Sequence, residues 1–176
     1  PRLARMLAHG TTTVEIKSGY GLDIENEMKM LNAIGQLESK QPVEVVPTFM
    51  GAHAIPPEYT KDVDAFTTHV VDEMMPKIAE KCTTKFCDIF TEKKVFPYEQ
   101  TERVMKKAKE LGFTPKIHAD EIDPIGGVDL AVKYGAISAE HLIKTTDEGI
   151  DTLAKSDVIA CLLPGTAYSL MHGVYA

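Results

Sequence analysis

Two periods of apolar and polar positions alternate along the 176-residue chain. Six short β-prone runs recur, at 11–16, 43–49, 85–90, 114–119, 136–142 and 157–163, each of a length that suits a strand. Between them apolar residues return every three or four positions. Met28, Leu31, Ile34 and Leu37 make one such stripe, and Val63, Phe66, Val70, Met74 and Ile78 make another. The pattern predicts strands alternating with amphipathic helices. Further helices are expected at 127–134 and about 146–155.

Glycines mark the joints. Gly10, Gly112 and Gly135 stand where a left-handed residue ends a helix, and each is followed by a β-prone run. Thr145 and Glu148 have the spacing of a capping box for the helix that follows them. Pro76, just after Met74 and Met75, is expected to kink or start a helix. Six strands alternating with helices pair most economically in parallel, through right-handed crossovers. A doubly wound sheet and a (β/α)8 barrel both satisfy that rule. The polar residues favour the barrel, because Lys17 to Tyr20, His53, Glu92, His118 to Glu121, and Glu140 with His141 all fall where a strand ends. In a barrel those ends converge on one site. The first loop, "KSGYGL", lacks the third glycine of a dinucleotide fingerprint. The expected fold is a partial TIM-type (β/α)8 barrel of about six βα units with parallel strands, its first and last units missing.

Composition adds limits on partners. An apolar fraction of 44% suits one folded domain, and a formal charge of −7 without a basic run argues against nucleic acid and anionic membranes. No apolar stretch nears the roughly 20 residues of a membrane helix, so a cytoplasmic location is expected. Cys82, Cys87 and Cys161 lack metal or redox spacing and read as reduced thiols. The chain opens at Pro1 and stops at "SLMHGVYA", which suggests that residues 1–176 are a segment of a longer protein.

The densest chemistry lies in "PKIHADEIDPIGG", at 115–127. Alternation sends Ile117 toward the helices and His118 toward the barrel axis, at the mouth of a site. Imidazole binds zinc or iron well, and Glu121 is spaced to serve an activated water or the substrate. His141 and His53 follow two other strands at a matching depth. His9, beside Gly10, and His69, inside a helix, read as structural, and His172 has no assigned role. Asp88 and Glu92 are given to structural pairing, although ligand contact stays open for both.

These motifs resemble the imidazolonepropionase family of the amidohydrolase superfamily. The resemblance rests on "TTTVEIKSGYGL", "PTFMGAHAIP", "KIHADE", "GGVDLAVKYGAISAEHL" and "VIACLLPG", taken in order. It implies a metal-dependent barrel, holding zinc or iron, that hydrolyses 4-imidazolone-5-propanoate to N-formimidoyl-L-glutamate. It further implies that His118 is a metal ligand, that Glu121 and His141 move protons, and that Tyr20 and His53 bind the small-molecule substrate. A homodimer and a β-rich companion domain outside this chain belong to the same implication. Two other readings compete with it: another amidohydrolase, acting on a cyclic amide or a deaminated base, and a non-catalytic α/β ligand-binding module.

Overall fold

The computed structural model describes residues 1–171 and Gly173; His172 lies outside the described residues. Six strands form one curled parallel sheet in chain order: β1 (Thr13–Lys17), β2 (Glu44–Ala52), β3 (Phe86–Ile89), β4 (Thr114–Ala119), β5 (Ser138–His141) and β6 (Ile159–Cys161). Helices α1 (Arg2–Ala8) to α8 (Pro164–Ser169) alternate with them. This is a partial (β/α)8 barrel rather than a doubly wound sheet, because sequence order and spatial order never part. Among the described residues β1 pairs only with β2 and β6 only with β5, so the sheet has two edges.

The core lies between the sheet's outer face and the helices. Phe49, Ile89, Ile117 and Ala139 point outward from four strands and are fully buried. They meet Leu31 and Ile34 of α2 (Ile24–Gly35), Val104 and Met105 of α5 (Tyr98–Glu110), and Val128 and Leu130 of α6 (Gly127–Tyr134). The opposite face is polar. In β4 the outward Pro115, Ile117 and Ala119 are buried, while Thr114, Lys116 and His118 on the other face are only partly covered. Period two thus separates packing from chemistry.

The long stripe from Val63 is one helical run with an inserted wider turn. α3 (Val63–His69) passes through a π-turn at Val70–Met74 into α4 (Met75–Lys81), with Pro76 in the first turn of α4. Proline offers no N–H and its ring crowds the carbonyl four residues back, so a wider turn ahead of it relieves the clash. Met74 and Met75 are fully buried there. The expected helix ends also hold: Gly10, Gly112 and Gly135 have φ of 93°, 81° and 59°.

One cap differs from expectation. Helix α7 (Asp147–Ala154) is capped by Thr146, whose hydroxyl accepts from the Gly149 N–H at 3.2 Å. Thr145 is instead committed to tertiary structure, donating to Asp120 Oδ2 at 3.0 Å. Two adjacent threonines can both satisfy a capping pattern, and the carboxylate of Asp120 decides between them. Thr146→Ala is therefore expected to cost about 1 kcal/mol through the lost cap. Native-state hydrogen exchange should show faster opening of the α7 amides in that variant, whereas Thr145→Ala should leave α7 protection unchanged and loosen the loop before it.

Candidate active site

The polar face of the sheet carries a network of alternating charge. Glu15 and Lys17 of β1, Asp88 of β3, Lys116 and His118 of β4, and Glu140 of β5 all meet there. Lys17 Nζ donates to Asp88 Oδ2 and lies 3.5 Å from Glu15 and 3.8 Å from Glu140. Lys116 Nζ bridges Glu140 at 2.8 Å and Glu15 at 3.2 Å. Each cation faces more than one carboxylate, as burial of so many charges requires. Burial opposes ionisation of Asp88, but His118 and Lys17 outweigh it and hold its carboxyl well below the usual carboxylate range. For Lys17, burial pulls the ammonium down, and Asp88 with Glu140 more than restores it, so the group ends raised. Lys116 is raised in the same way, burial being outweighed by Glu140 and Glu15.

Above this network the strand ends bring the sequence candidates into one chain of contacts. The His118 and His141 rings lie 5.1 Å apart between centroids, and His141 Nδ1 lies 3.5 Å from Glu121 Oε1. On the other side Phe90 stands between His118 and His53, at 6.1 and 5.9 Å. Tyr20 meets His53 edge-on at 4.6 Å. Tyr20, His53, His118, Glu121 and His141 thus share the C-terminal end of the sheet. Glu121 and His141 are buried, whereas Tyr20 is 73% exposed at the rim. Burial, the largest cause, lowers His53 below the ordinary histidine value. Its Nδ1 is buried without a hydrogen-bond partner among the described residues. A neutral ring with an unspent nitrogen is suited to a polar ligand atom.

Backbone strain is concentrated at the same end. Asp120, His141 and Leu142 have φ of 54°, 77° and 57°, a region that side-chain-bearing residues seldom occupy. Hydrogen bonds hold this geometry. The backbone oxygen of Asp120 accepts from Lys144 N at 2.7 Å, and the Leu142 N–H donates to Ala119 O at 3.1 Å, tying the β4 and β5 loops together.

Three acidic residues that support the site have weak signals in the sequence. Glu27, fully buried in the first turn of α2, accepts from the N–H groups of Gly19, Gly21 and Leu22 and so shapes the "SGYGL" loop that carries Tyr20. Glu92 accepts from the N–H groups of Ile122 and Asp123, at 2.8 and 3.2 Å, and fixes the turn just after Glu121. Burial pushes Glu92 up and those N–H donors push it down, with burial prevailing. Asp88 accepts from Ile89 N at 2.8 Å and faces His118 Nδ1 at 3.1 Å. Of the three, Asp88 had the clearest signal: it sits at an inward-alternating position of "KFCDIF".

Asp88, His118 and Glu140 could hold a metal ion, their donor atoms lying within 4.8 Å of one another. Their existing bonds divide the roles. The carboxylates of Asp88 and Glu140 are engaged by Lys17 and Lys116, although Glu140 Oε2 is buried without a hydrogen bond among the described residues. Among the described residues His118 meets a hydrogen-bond partner at Nδ1, on Asp88, and none at Nε2. An imidazole held by a carboxylate at one nitrogen and open at the other is the usual form of a metal-binding histidine. The donor set therefore fits a metal approached through His118 Nε2, as one ligand of the three that a catalytic zinc normally takes from protein. An apolar groove of about 580 Å³ between α7 and β6, lined by Leu142, Ile150, Val158 and Leu162 among others, includes none of the candidate residues.

The sequence matches imidazolonepropionases of several bacteria over nearly all of its length. It is 52% identical to that of Alkaliphilus metalliredigens and 53% to that of Bacillus velezensis, each over 174 residues, which is 99% of this chain. The chain is imidazolonepropionase-like throughout. Identity to the Treponema denticola imidazolonepropionase is 49% over 174 residues, 99% of this chain and 42% of that protein. The chain spans about 41% of the length of the first two relatives. No family model matches it. Among solved structures, adenine deaminase from Arthrobacter aurescens superposes with a TM-score of 0.63 at 18% identity, covering 86% of this chain and 46% of that one. Ochratoxinase from A. niger gives a TM-score of 0.53 at 15% identity, over 90% of this chain and 44% of that one. These likenesses support the barrel architecture of the imidazolonepropionase-like chain. No helix among its described residues is long and apolar enough to cross a membrane.

Proposed function

We propose that this chain is part of an enzyme that hydrolyses 4-imidazolone-5-propanoate to N-formimidoyl-L-glutamate. The observation that carries the reading is the meeting of Tyr20, His53, His118, Glu121 and His141, from separate imidazolonepropionase-like motifs, at one end of the sheet. His118 would hold zinc or iron through Nε2. The bound ion would supply Lewis acidity and a water of lowered pKa.

In the reaction, a water oxygen adds to the ring carbonyl carbon, and the bond from that carbon to its ring nitrogen breaks. The carbon becomes a carboxylate, and the nitrogen takes up a proton within the formimidoyl group. Glu121 accepts the proton from water, and its neighbour His141 delivers one to the departing nitrogen. The 3.5 Å between them allows proton traffic within one pair. His53 would offer an N–H to the oxygen that gains charge. Tyr20, at the rim, packs on the substrate beside His53. The small-molecule substrate, a homodimeric and cytoplasmic protein, and a β-rich companion domain outside residues 1–176 complete the reading.

Substrate profiling of the full-length protein tests it. Zinc- or iron-loaded protein should open imidazolonepropanoate with a kcat/KM well above that for hydantoins or aminopurines. Preference for either of those, at similar metal content, would move the assignment to another amidohydrolase.

A further inference from the structure

We propose that Lys17 and Asp88 form a positioning pair for His118, fixing the ring nitrogen that it presents to a metal. The inference rests on the reading of His118 as a ligand, and adds two residues to which that reading gives no role. Asp88 is 1% exposed and comes from β3, while His118 comes from β4 and Lys17 from β1. Three strands are thus joined by one carboxylate, with Oδ1 facing His118 Nδ1 at 3.1 Å and Oδ2 accepting from Lys17 Nζ.

The two oxygens have complementary tasks. An ionised carboxylate has only acceptor sites, so opposite Asp88 the His118 ring must carry its hydrogen on Nδ1. That leaves the Nε2 lone pair bare. Lys17 Nζ, donating to Oδ2, occupies the second oxygen, so the carboxylate is gripped at both ends and keeps Oδ1 turned toward His118. The Ile89 N–H, donating to Oδ1 at 2.8 Å, stops the carboxylate from rotating away. Lys17 is itself held from both sides, 3.5 Å from Glu15 and 3.8 Å from Glu140. Its side chain is 23% exposed, against 13% for His118 and none for Asp88, so of the three it stands nearest to solvent.

The test uses the full-length protein, with zinc as the probe. Competition with a chelator gives zinc affinity, and ¹⁵N chemical shifts of the imidazole in metal-free protein give the tautomer of His118, assigned by its loss in His118→Ala. The wild type should show the Nδ1–H form. Asp88→Asn and Lys17→Met should each lose that preference and weaken zinc binding, the former by about 10- to 100-fold as for other partners of ligating histidines. If Asp88→Asn does not fold, the Lys17→Met/Asp88→Asn double variant, which removes both charges together, supplies the same readouts. An Nε2–H wild-type ring would overturn the positioning role, as would a tautomer unchanged in the variants. Zinc bound within about twofold of wild type in the variants, while His118→Ala loses it, would overturn the role and leave His118 a ligand. Zinc retained in His118→Ala would instead sink the ligand reading, and with it the pair's purpose toward a metal.

Discussion

His118→Ala in the full-length protein should lose its metal and its turnover together, whereas Glu121→Gln should keep the metal and lose about 10²–10⁴-fold in kcat. The difference follows from where each side chain spends its atoms. His118 is anchored from behind by Asp88 and has one nitrogen left for a ligand bond. Alanine removes the donor and leaves the buried Asp88 carboxylate with one hydrogen-bond partner fewer. Glu121 lies beside His141 and after the strained Asp120, and the turn beyond it is held by Glu92. An amide of the same shape keeps the size of that side chain and one acceptor oxygen, but it cannot take a proton from water. Metal content measured with kcat separates the two roles. Full metal in His118→Ala, or near-normal kcat in Glu121→Gln, would break the corresponding assignment.

Local pattern and distant pairing contributed differently to what could be read from the sequence. In "PKIHADE" the alternation alone places Ile117 outward and His118 inward, because strand geometry admits only two faces. The same rule, applied to "AISAEHL", places Ala139 outward and Glu140 inward, whereas His141 reaches the site because the chain leaves strand geometry there, with φ of 77°. What the pattern cannot give is the partner across the sheet. Asp88 meets His118 only because β3 and β4 adopt one register, with Phe86 opposite Thr114. No spacing within either strand encodes that register. The choice between Thr145 and Thr146 fails for a related reason, since Asp120 lies 25 residues from the threonine it claims. Glu27 is hidden differently: it stands four and seven residues before Leu31 and Ile34, on the face that α2 buries, but the spacing gives no sign of what pairs a carboxylate there. Its partners are the N–H groups of the loop that folds back over the start of α2.

That buried glutamate leads to the largest stability effect expected of a residue outside the proposed chemistry. Glu27 Oε1 accepts from Gly21 N at 2.6 Å and Leu22 N at 3.2 Å, and Oε2 accepts from Gly19 N at 3.0 Å. Three backbone N–H groups therefore depend on one carboxylate. The loop cannot easily rearrange to serve them otherwise: Gly19 has φ of 121°, and a Cβ on Gly21 would stand 2.5 Å from the Glu27 nitrogen. Each buried donor left without an acceptor costs about 1–3 kcal/mol, and partial access of water to the outer two lowers the sum. Glu27→Ala is thus expected to destabilise the protein by roughly 3 kcal/mol, as an order of magnitude for one fully and two partly buried donors. Glu27→Gln should fall between, because the amide oxygen can still accept but the charge assistance is gone. Because the loop delivers Tyr20 to His53, the same variants should raise KM for imidazolonepropanoate more than they lower kcat. Denaturant unfolding and steady-state kinetics of the full-length protein check both effects. A Glu27→Ala protein as stable as wild type would mean that the loop is held by its glycines alone.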